Sequence, residues 1–338
     1  MANSLKDRIL KNSKIDATSL LTESEVFSEQ DSIVTSVKSI NTALSGSTKG
    51  GLLPGILLLA GPSKHFKTSF PLVMASAFQK KYPEGVILFY DSEFGSPEEY
   101  FLKFGIDVSR VIHTPITNIE ELKFDLMNQL ENFKKGDEVM IVIDSLGNLA
   151  SKKEVEDALK ENSAADMTRA KQFKSLFRMI TPHLKLKHIP LVGIAHTYET
   201  QEMFSKQVVS GGTGQYYSAN DIWIIGRQQE KTGTEVTGYN FIINIEKSRT
   251  VKEKSKIPVS VSYDSGIKPL SGMFDLALEL GFIAASKQGW YQEVDQETGE
   301  LIGQNRRKGD MESDEDLFNR LLENGLEEAI QKKFKLVL

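Results

Sequence analysis

The stretch GPSKHFKTS at residues 61–69 sets a lysine and a hydroxyl at a spacing that suits phosphate. In such a loop, here Gly61, Pro62, Ser63, Lys64, His65, Phe66, Lys67, Thr68 and Ser69, backbone N–H groups would wrap a β-phosphate. The Lys67 ammonium would reach the β and γ oxygens, the Thr68 hydroxyl would take a Mg2+ ion, and the helix that follows would add its positive end. The usual pattern has a glycine just before the lysine, and Phe66 stands there instead. A phenylalanine fits at that helix start if its φ is negative and its ring turns away from the phosphate. Pro71 is a second departure, expected to remove one hydrogen bond from the early helix at up to about 3 kcal/mol unless tertiary contacts compensate. Short patterns recur by chance, so the other groups a triphosphate needs must be found elsewhere in the chain.

Three strand ends supply them. VMIVIDS places Asp144 at the end of a buried apolar run. A carboxylate there is costly unless it serves a cation or a hydrogen-bond network. Holding a water on Mg2+ opposite Thr68 is the function that fits, and capping the next turn is the alternative. LFYDSE ends the preceding strand with Asp91 and Glu93, which strand alternation puts on one face. A carboxylate near a γ-phosphate can orient or deprotonate the attacking water; Glu93 is the choice for that base, and Asp91 is open to a structural role. GIAHT ends a third strand with His196 just before a long irregular stretch. A polar group there could touch the γ-phosphate and report it to the following loop. A hydrogen-bonded strand-end histidine is the commoner fate, and position alone leaves both open.

These groups meet only if their strands lie side by side. LLPGILLLAG, GVILFYD, EVMIVIDS and PLVGIAHT read as apolar strands. KTSFPLVMASAFQKKY, IEELKFDLMNQLENF and AADMTRAKQFKSLFRMITPHLK read as the amphipathic helices between them. That alternation predicts a parallel sheet with helices on both faces, whose carboxyl edge is where open α/β sheets bind ligands. DIWIIGRQQE, GYNFIINIEKS and KIPVSVSYD, joined by turns, predict an antiparallel extension. Residues 3–13 read as a short amphipathic helix with Leu5, Ile9 and Leu10 on one face, at the start of a polar arm. The expected organisation is an arm over 1–35, an α/β core over 36–272 and a small C-terminal α/β lobe over 273–338, ending in a helix.

The 338 residues are 40% hydrophobic and 26% charged, ordinary values for a globular chain. There is no cysteine, which excludes disulfides, thiolate metal sites and cysteine nucleophiles. A formal net charge of −5 means that nucleic acid would have to be met by a local patch. No run is apolar enough for a membrane span, and the polar start lacks the apolar core of a secretion signal, so a cytoplasmic place is expected.

Taken together, SINTALSG, AGPSKHFKTS, LFYDSEFG, VIDSLGNLASKKEVEDAL, HTYETQEMFSK, GGTG and NIEKSRTVKEKSK resemble the RecA family, and within it the UvsX recombinases of T4-like bacteriophages. The resemblance covers nearly the whole chain, and the phenylalanine before the lysine is familiar in that branch. It implies a RecA-type P-loop ATPase fold and a helical filament on single-stranded DNA, with ATP and Mg2+ at each interface between protomers. Lys67 and Thr68 would take the Walker A roles, Asp144 the Walker B role and Glu93 that of the catalytic glutamate. His196 falls where the family keeps a γ-phosphate sensor that is usually a glutamine, which is a departure. Tyr100 sits where an aromatic stacks on adenine. Lys247 and Arg249 resemble the basic pair that reaches a neighbour's ATP, although a solvated basic run would look the same.

The resemblance also implies two DNA loops, over about 151–168 and 198–214. The second contains Phe204, Lys206, Gly211, Gly212, Thr213 and Gly214, whose aromatic could wedge between bases and whose glycines let backbone approach phosphate. The helix after the first loop adds Arg169, Lys171, Lys174 and Arg178, facing DNA or only solvent. Arg306, Arg307 and Lys308 could guide incoming duplex or form an exposed charged turn. The implied activity is DNA-dependent ATP hydrolysis to ADP and phosphate, with AMP as an open further product, coupled to homologous pairing and strand exchange in recombination, repair and replication. Implied partners are single- and double-stranded DNA, further copies of the chain, a phage single-stranded-DNA-binding protein and a recombination mediator, in the host cytoplasm. Two other readings remain: a RecA-fold ring helicase, for which no separate ring-forming domain is visible, and an assembly factor that binds ATP and DNA but scarcely turns over.

Overall fold

The computed structural model describes residues 4–24, 32–62, 67–160, 168–199, 207–210, 213–232, 235–262 and 266–336. They fall into two compact units, 1–31 and 32–338. In the first, helix α1 (Leu5–Asn12) starts at a capping box in which the Asp7 amide donates to Ser4 Oγ at 3.2 Å and the Ser4 amide donates to Asp7 Oδ2 at 3.1 Å. No residue of this helix is buried, and Leu5 and Ile9 are exposed.

The second unit opens with α2 (Lys38–Ser45) and then alternates strand and helix: β1 (Gly55–Ala60), α3 (Ser69–Lys81), β2 (Val86–Asp91), α4 (Glu98–Lys103), β3 (Val111–Pro115), α5 (Ile119–Asn132) and β4 (Val139–Asp144). It continues through α6 (Lys152–Leu159), α7 (Thr168–Leu186), β5 (Pro190–Ala195), the small pair β6 (Thr197–Glu199) and β7 (Gln207–Val209), and α8 (Thr213–Ser218). Strands β8 (Asp221–Thr232), β9 (Glu235–Lys247), β10 (Lys256–Ser262) and β11 (Gly266–Ile267) follow. Among the described residues the main sheet has nine strands in the order β11-β10-β9-β8-β1-β5-β4-β2-β3. The pairs from β8 to β3 are parallel and those from β8 to β11 antiparallel, as the alternating and then strand-only pattern predicts.

The apolar strands serve two faces at once. Leu57 and Leu59 of β1, Phe89 of β2, and Met140 and Val142 of β4 belong to the core on the α3 side. Ile56 and Leu58, Leu88 and Tyr90, and Ile141 and Ile143 belong to the core under α5 and α7. Period-2 alternation therefore splits each continuous apolar run between two helix layers, and the same parity turns Asp91 and Asp144 toward α3.

Helix α3 begins at Ser69, so Pro71 occupies its first turn, where the backbone N–H has no intrahelical partner. The expected loss of a hydrogen bond at Pro71 does not occur.

The C-terminal residues form α9 (Met273–Glu279), the antiparallel sheet β12 (Ile283–Lys287), β13 (Trp290–Val294) and β14 (Leu301–Arg306), and then α10 (Lys308–Glu312), α11 (Glu315–Leu321) and α12 (Glu327–Phe334). The single terminal helix expected from DLFNRLLENGLEEAIQKKF is broken, because Asn324 and Gly325 leave helical φ/ψ and Gly325 has φ 108°. Leu317, Phe318, Ile330 and Phe334 share the core of the α3 face, and the buried Glu327 carboxylate accepts from Ser47 Oγ at 2.6 Å and from the Thr48 hydroxyl. The lobe is thus sewn to the chain between α2 and β1.

Candidate active site

The strand ends are level. Asp91 pairs in register with Asp144, and Ala60 with Ala195, so the residues after β1, β2, β4 and β5 leave the sheet at one edge. Of the predicted phosphate loop, Ser63, Lys64, His65 and Phe66 lie outside the described residues; Gly61 and Pro62 follow β1, and Lys67, Thr68 and Ser69 stand at the amino end of α3.

Lys67 is buried, and its Nζ donates to the Pro62 carbonyl at 2.7 Å. Burial pushes its pKa down, against the opposing pull of the Glu93 and Asp144 carboxylates. A buried ammonium at a helix amino end suits an anionic phosphate, which would share that burial and add charge-assisted hydrogen bonds.

Thr68 Oγ1 donates to Asp144 Oδ2 at 2.8 Å. The second carboxylate oxygen, Oδ1, is buried with no hydrogen-bond partner among the described residues. Burial raises the Asp144 pKa to about 6; the Thr68 hydrogen bond opposes this, and the nearby Glu93 and Asp91 add to it. An unsatisfied buried carboxylate oxygen beside a threonine hydroxyl fits a hard cation or its water. Among the described residues no group of three His, Cys, Asp or Glu side chains could hold a metal ion.

Glu93 is not placed by strand alternation, as expected from the sequence. Strand β2 ends at Asp91, whose Oδ1 accepts from the Glu93 and Phe94 amides at 2.9 and 2.8 Å, and Phe94 has φ 54°. This turn, with His113 Nε2 3.1 Å from Asp91 Oδ2, sets the Glu93 backbone and gives Asp91 its structural role. Glu93 Oε1 accepts from Ser145 Oγ at 2.9 Å and lies 3.3 Å from His196 Nε2. The His196 hydrogen bond, aided by Ser145 against partial burial, holds the Glu93 carboxyl below its usual range, so it stays ionised. Ser145 is held in turn by Ser92: its amide donates to Ser92 Oγ at 3.0 Å, and Ser92 Oγ donates to its carbonyl at 2.7 Å.

His196 therefore meets the predicted base directly, and its carbonyl accepts from the Ser210 amide at 2.8 Å. That bond closes the β6–β7 pair, so one residue touches Glu93 and anchors the root of the second predicted loop. Tyr100 is half-buried beside α3, with its hydroxyl 2.6 Å from Ser69 Oγ and its ring edge-on to Phe104.

The other candidates divide. Arg169 does not stand free for DNA in this protomer: Nε donates to Leu149 O at 2.6 Å, and Nη2 donates to Gly147 O at 2.8 Å and Leu146 O at 3.2 Å. Phe204, Lys206, Gly211 and Gly212 lie outside the described residues, and Thr213 opens α8. Gly214 packs on α7, where a Cβ would come within 2.7 Å of the Lys174 Cα. The first predicted loop contains α6, a capped helix with Val155 and Leu159 exposed. Lys247 Nζ donates to the carbonyls of Tyr216, Tyr217 and Ala219 at 2.7, 3.2 and 2.8 Å, capping the carboxyl end of α8. Arg249 is exposed, while the Ser248 hydroxyl fixes its turn by donating to the half-buried Asp221 at 2.5 Å. Arg306 and Lys308 are half-buried and ion-paired to Asp314 and Asp275 at 2.7 and 2.9 Å, and Arg307 lies over the Trp290 ring. Arg306 and Lys308 are thus held within the lobe by ion pairs, whereas Arg307 is exposed.

Sequence reasoning passed over Ser145, Ser92 and Gly147, which touch the predicted site residues. The glycine in DSLGN, directly after a carboxylate-ended strand, was the legible signal.

Comparison with known proteins bears on the same residues. The RecA N-terminal domain family matches residues 7–268, and the family described as Bacteriophage T4, Recombination and repair protein, C-terminal domain matches residues 270–325. The Recombination and repair protein of Enterobacteria phage T4 is 53% identical over 300 residues, covering 88% of this chain and 77% of its own. Protein RecA of Chloroherpeton thalassium is 24% identical over 291 residues, covering 85% and 78%, and that of Acholeplasma laidlawii is 24% identical over 286 residues, covering 83% and 81%.

Proposed function

This chain belongs to the RecA family, and on that premise we propose that it is an ATP-dependent DNA recombinase that assembles as a helical filament on single-stranded DNA, pairs it with homologous duplex and exchanges strands. The observation that carries the reading is the meeting of Lys67, Thr68, Asp144, Glu93 and His196 at one sheet edge, with the His196 carbonyl also bonded to Ser210 at the root of the second predicted loop.

In this reading Lys67 binds the β- and γ-phosphates of ATP. Thr68 and Asp144 would hold Mg2+, the aspartate through a water, and the ion would neutralise charge on the phosphate oxygens. Glu93, kept ionised by His196 and Ser145, orients the attacking water and accepts its proton. When a γ-phosphate arrives, His196 can exchange its contact with Glu93 for the phosphate, and the Ser210 bond to its carbonyl passes that movement to the second loop. ATP binding thereby favours the state that grips DNA, and hydrolysis to ADP and phosphate releases it; AMP is a further product to be assayed.

Exposed Arg249 would act on a neighbour's nucleotide, and the uncovered Leu5 and Ile9 of α1 suit an arm that docks on another protomer. Tyr100 would stack on adenine. Lys206, Phe204 and the Gly211–Gly214 segment would meet DNA, and a single-stranded-DNA-binding protein and a mediator would be the phage partners, in the host cytoplasm. No helix among the described residues is long and apolar enough to cross a membrane.

Strand exchange between single-stranded circles and homologous linear duplex tests the proposal. Joint molecules should form only with ATP and Mg2+ and only with homologous duplex; none under any nucleotide condition would reject it.

A further inference from the structure

Gly147 and His196 are in closer contact than any larger residue at 147 would allow. A Cβ built on Gly147 would fall 2.1 Å from His196 Cδ2, 3.0 Å from Cγ and 3.1 Å from Nε2. The nearest of these lies far inside van der Waals contact, so the imidazole rests on the bare Cα of Gly147. The segment under it is fixed from two sides. The Leu146 amide donates to the Ile194 carbonyl at 2.8 Å, tying the segment to β5 just before His196. From the other side the Arg169 guanidinium holds the carbonyls of Leu146, Gly147 and Leu149, and it lies 5.1 Å from the Phe173 ring centroid. Arg169 is in the first turn of α7, directly after the first predicted DNA loop. A contact path therefore runs from the start of α7 through the Gly147 backbone to the His196 ring and on to Glu93 Oε1, 3.3 Å away.

We infer that Gly147 is the seat that positions the His196 imidazole against Glu93, and that Arg169 holds the seat in register with helix α7. Gly147 reaches neither substrate nor reacting atoms; it acts by leaving the room that the ring occupies. Arg169 acts through Gly147, so the start of α7 is mechanically joined to the hydrolytic site. The functional half of this inference rests on the proposed roles of His196 and Glu93. The geometric half does not.

The test uses full-length protein carrying Gly147→Ala, His196→Ala or both, with DNA-stimulated ATP hydrolysis as one readout. A second readout is the set of imidazole resonances of 13C-histidine-labelled, nucleotide-free protein. The chain has five histidines, and His196→Ala identifies the resonance of interest by its loss. Gly147→Ala should lower kcat by about tenfold or more with KM changed less than about threefold, and should move the His196 resonance. Added to His196→Ala, it should cause no further loss of kcat, because the ring it displaces is gone. An equal loss in both backgrounds, or an unmoved resonance, would overturn the seat. If His196→Ala itself keeps normal turnover, the proposed role of His196 fails, and the resonance alone decides the seat. Should Gly147→Ala not fold, Arg169→Gln removes the clamp without adding atoms at 147. It should move the same resonance in DNA-free protein, and no movement would overturn the inference.

Discussion

Thr68 donates its hydroxyl to one oxygen of Asp144, and the other oxygen of that buried carboxylate has no partner among the described residues. Among the described residues, nothing satisfies that acceptor. Burial holds the Asp144 pKa near 6, above its value in the unfolded chain, so the proton is bound more tightly in the folded state. Stability from that proton is present below about pH 4 and is lost as pH rises through 6. Asp144→Asn should accordingly raise the melting temperature of nucleotide-free protein at neutral pH. The gain should be up to roughly 3 kcal/mol and should shrink as pH falls below 6. The same variant should lose hydrolysis. Calorimetry at pH 5 and pH 8 checks this, and a lower melting temperature at both would count against it.

Lys67→Ala should remove ATP binding and, with it, stable DNA binding. In the proposed function the buried Lys67 ammonium binds phosphate, and nucleotide sets the DNA-gripping state. A fluorescent ATP analogue and the anisotropy of labelled single-stranded DNA follow the two together. DNA binding unchanged in the presence of ATP would break the coupling.

Glu93→Gln keeps the shape of a side chain that Ser145 and His196 hold, but removes the carboxylate proposed as the base. Turnover on DNA should fall by about 10²-fold or more while ATP affinity stays within a few-fold. Filaments made with this variant should outlast wild-type ones after excess ATP is removed. Equal turnover would move the base elsewhere.

Arg249 and Lys247, adjacent in role by family resemblance, differ in their surroundings. Arg249 is exposed, whereas Lys247 closes the carboxyl end of α8 with three hydrogen bonds. Arg249→Ala should leave melting unchanged and lower DNA-stimulated hydrolysis. Lys247→Ala should lower both, with about 1 kcal/mol or more lost from the helix end. Normal hydrolysis by Arg249→Ala would exclude its action on a neighbour's ATP.

The strands were legible because a run such as VMIVIDS is apolar throughout and ends on a charge, which only a sheet buried on both faces and a functional edge explain together. The level ends of β1, β2, β4 and β5 follow from that pattern. Glu93 was named correctly as lying at the edge but for an incomplete reason, since the turn at Asp91 and not alternation sets it. The partners of Arg169 and Lys247 were hidden because both bond to backbone carbonyls, which every residue carries and no sequence pattern marks. Pro71 looked costly because the start of α3 was read two residues too early, and Gly325 was read through because one glycine is tolerated in a helical pattern.

In the proposed function, nucleotide at this sheet edge decides whether the chain grips single-stranded DNA as a filament. Electron microscopy of the protein with single-stranded DNA, with and without a slowly hydrolysed ATP analogue, tests it most directly. Open helical filaments with the analogue and none without it are the predicted result. Closed rings, or filaments indifferent to nucleotide, would contradict it.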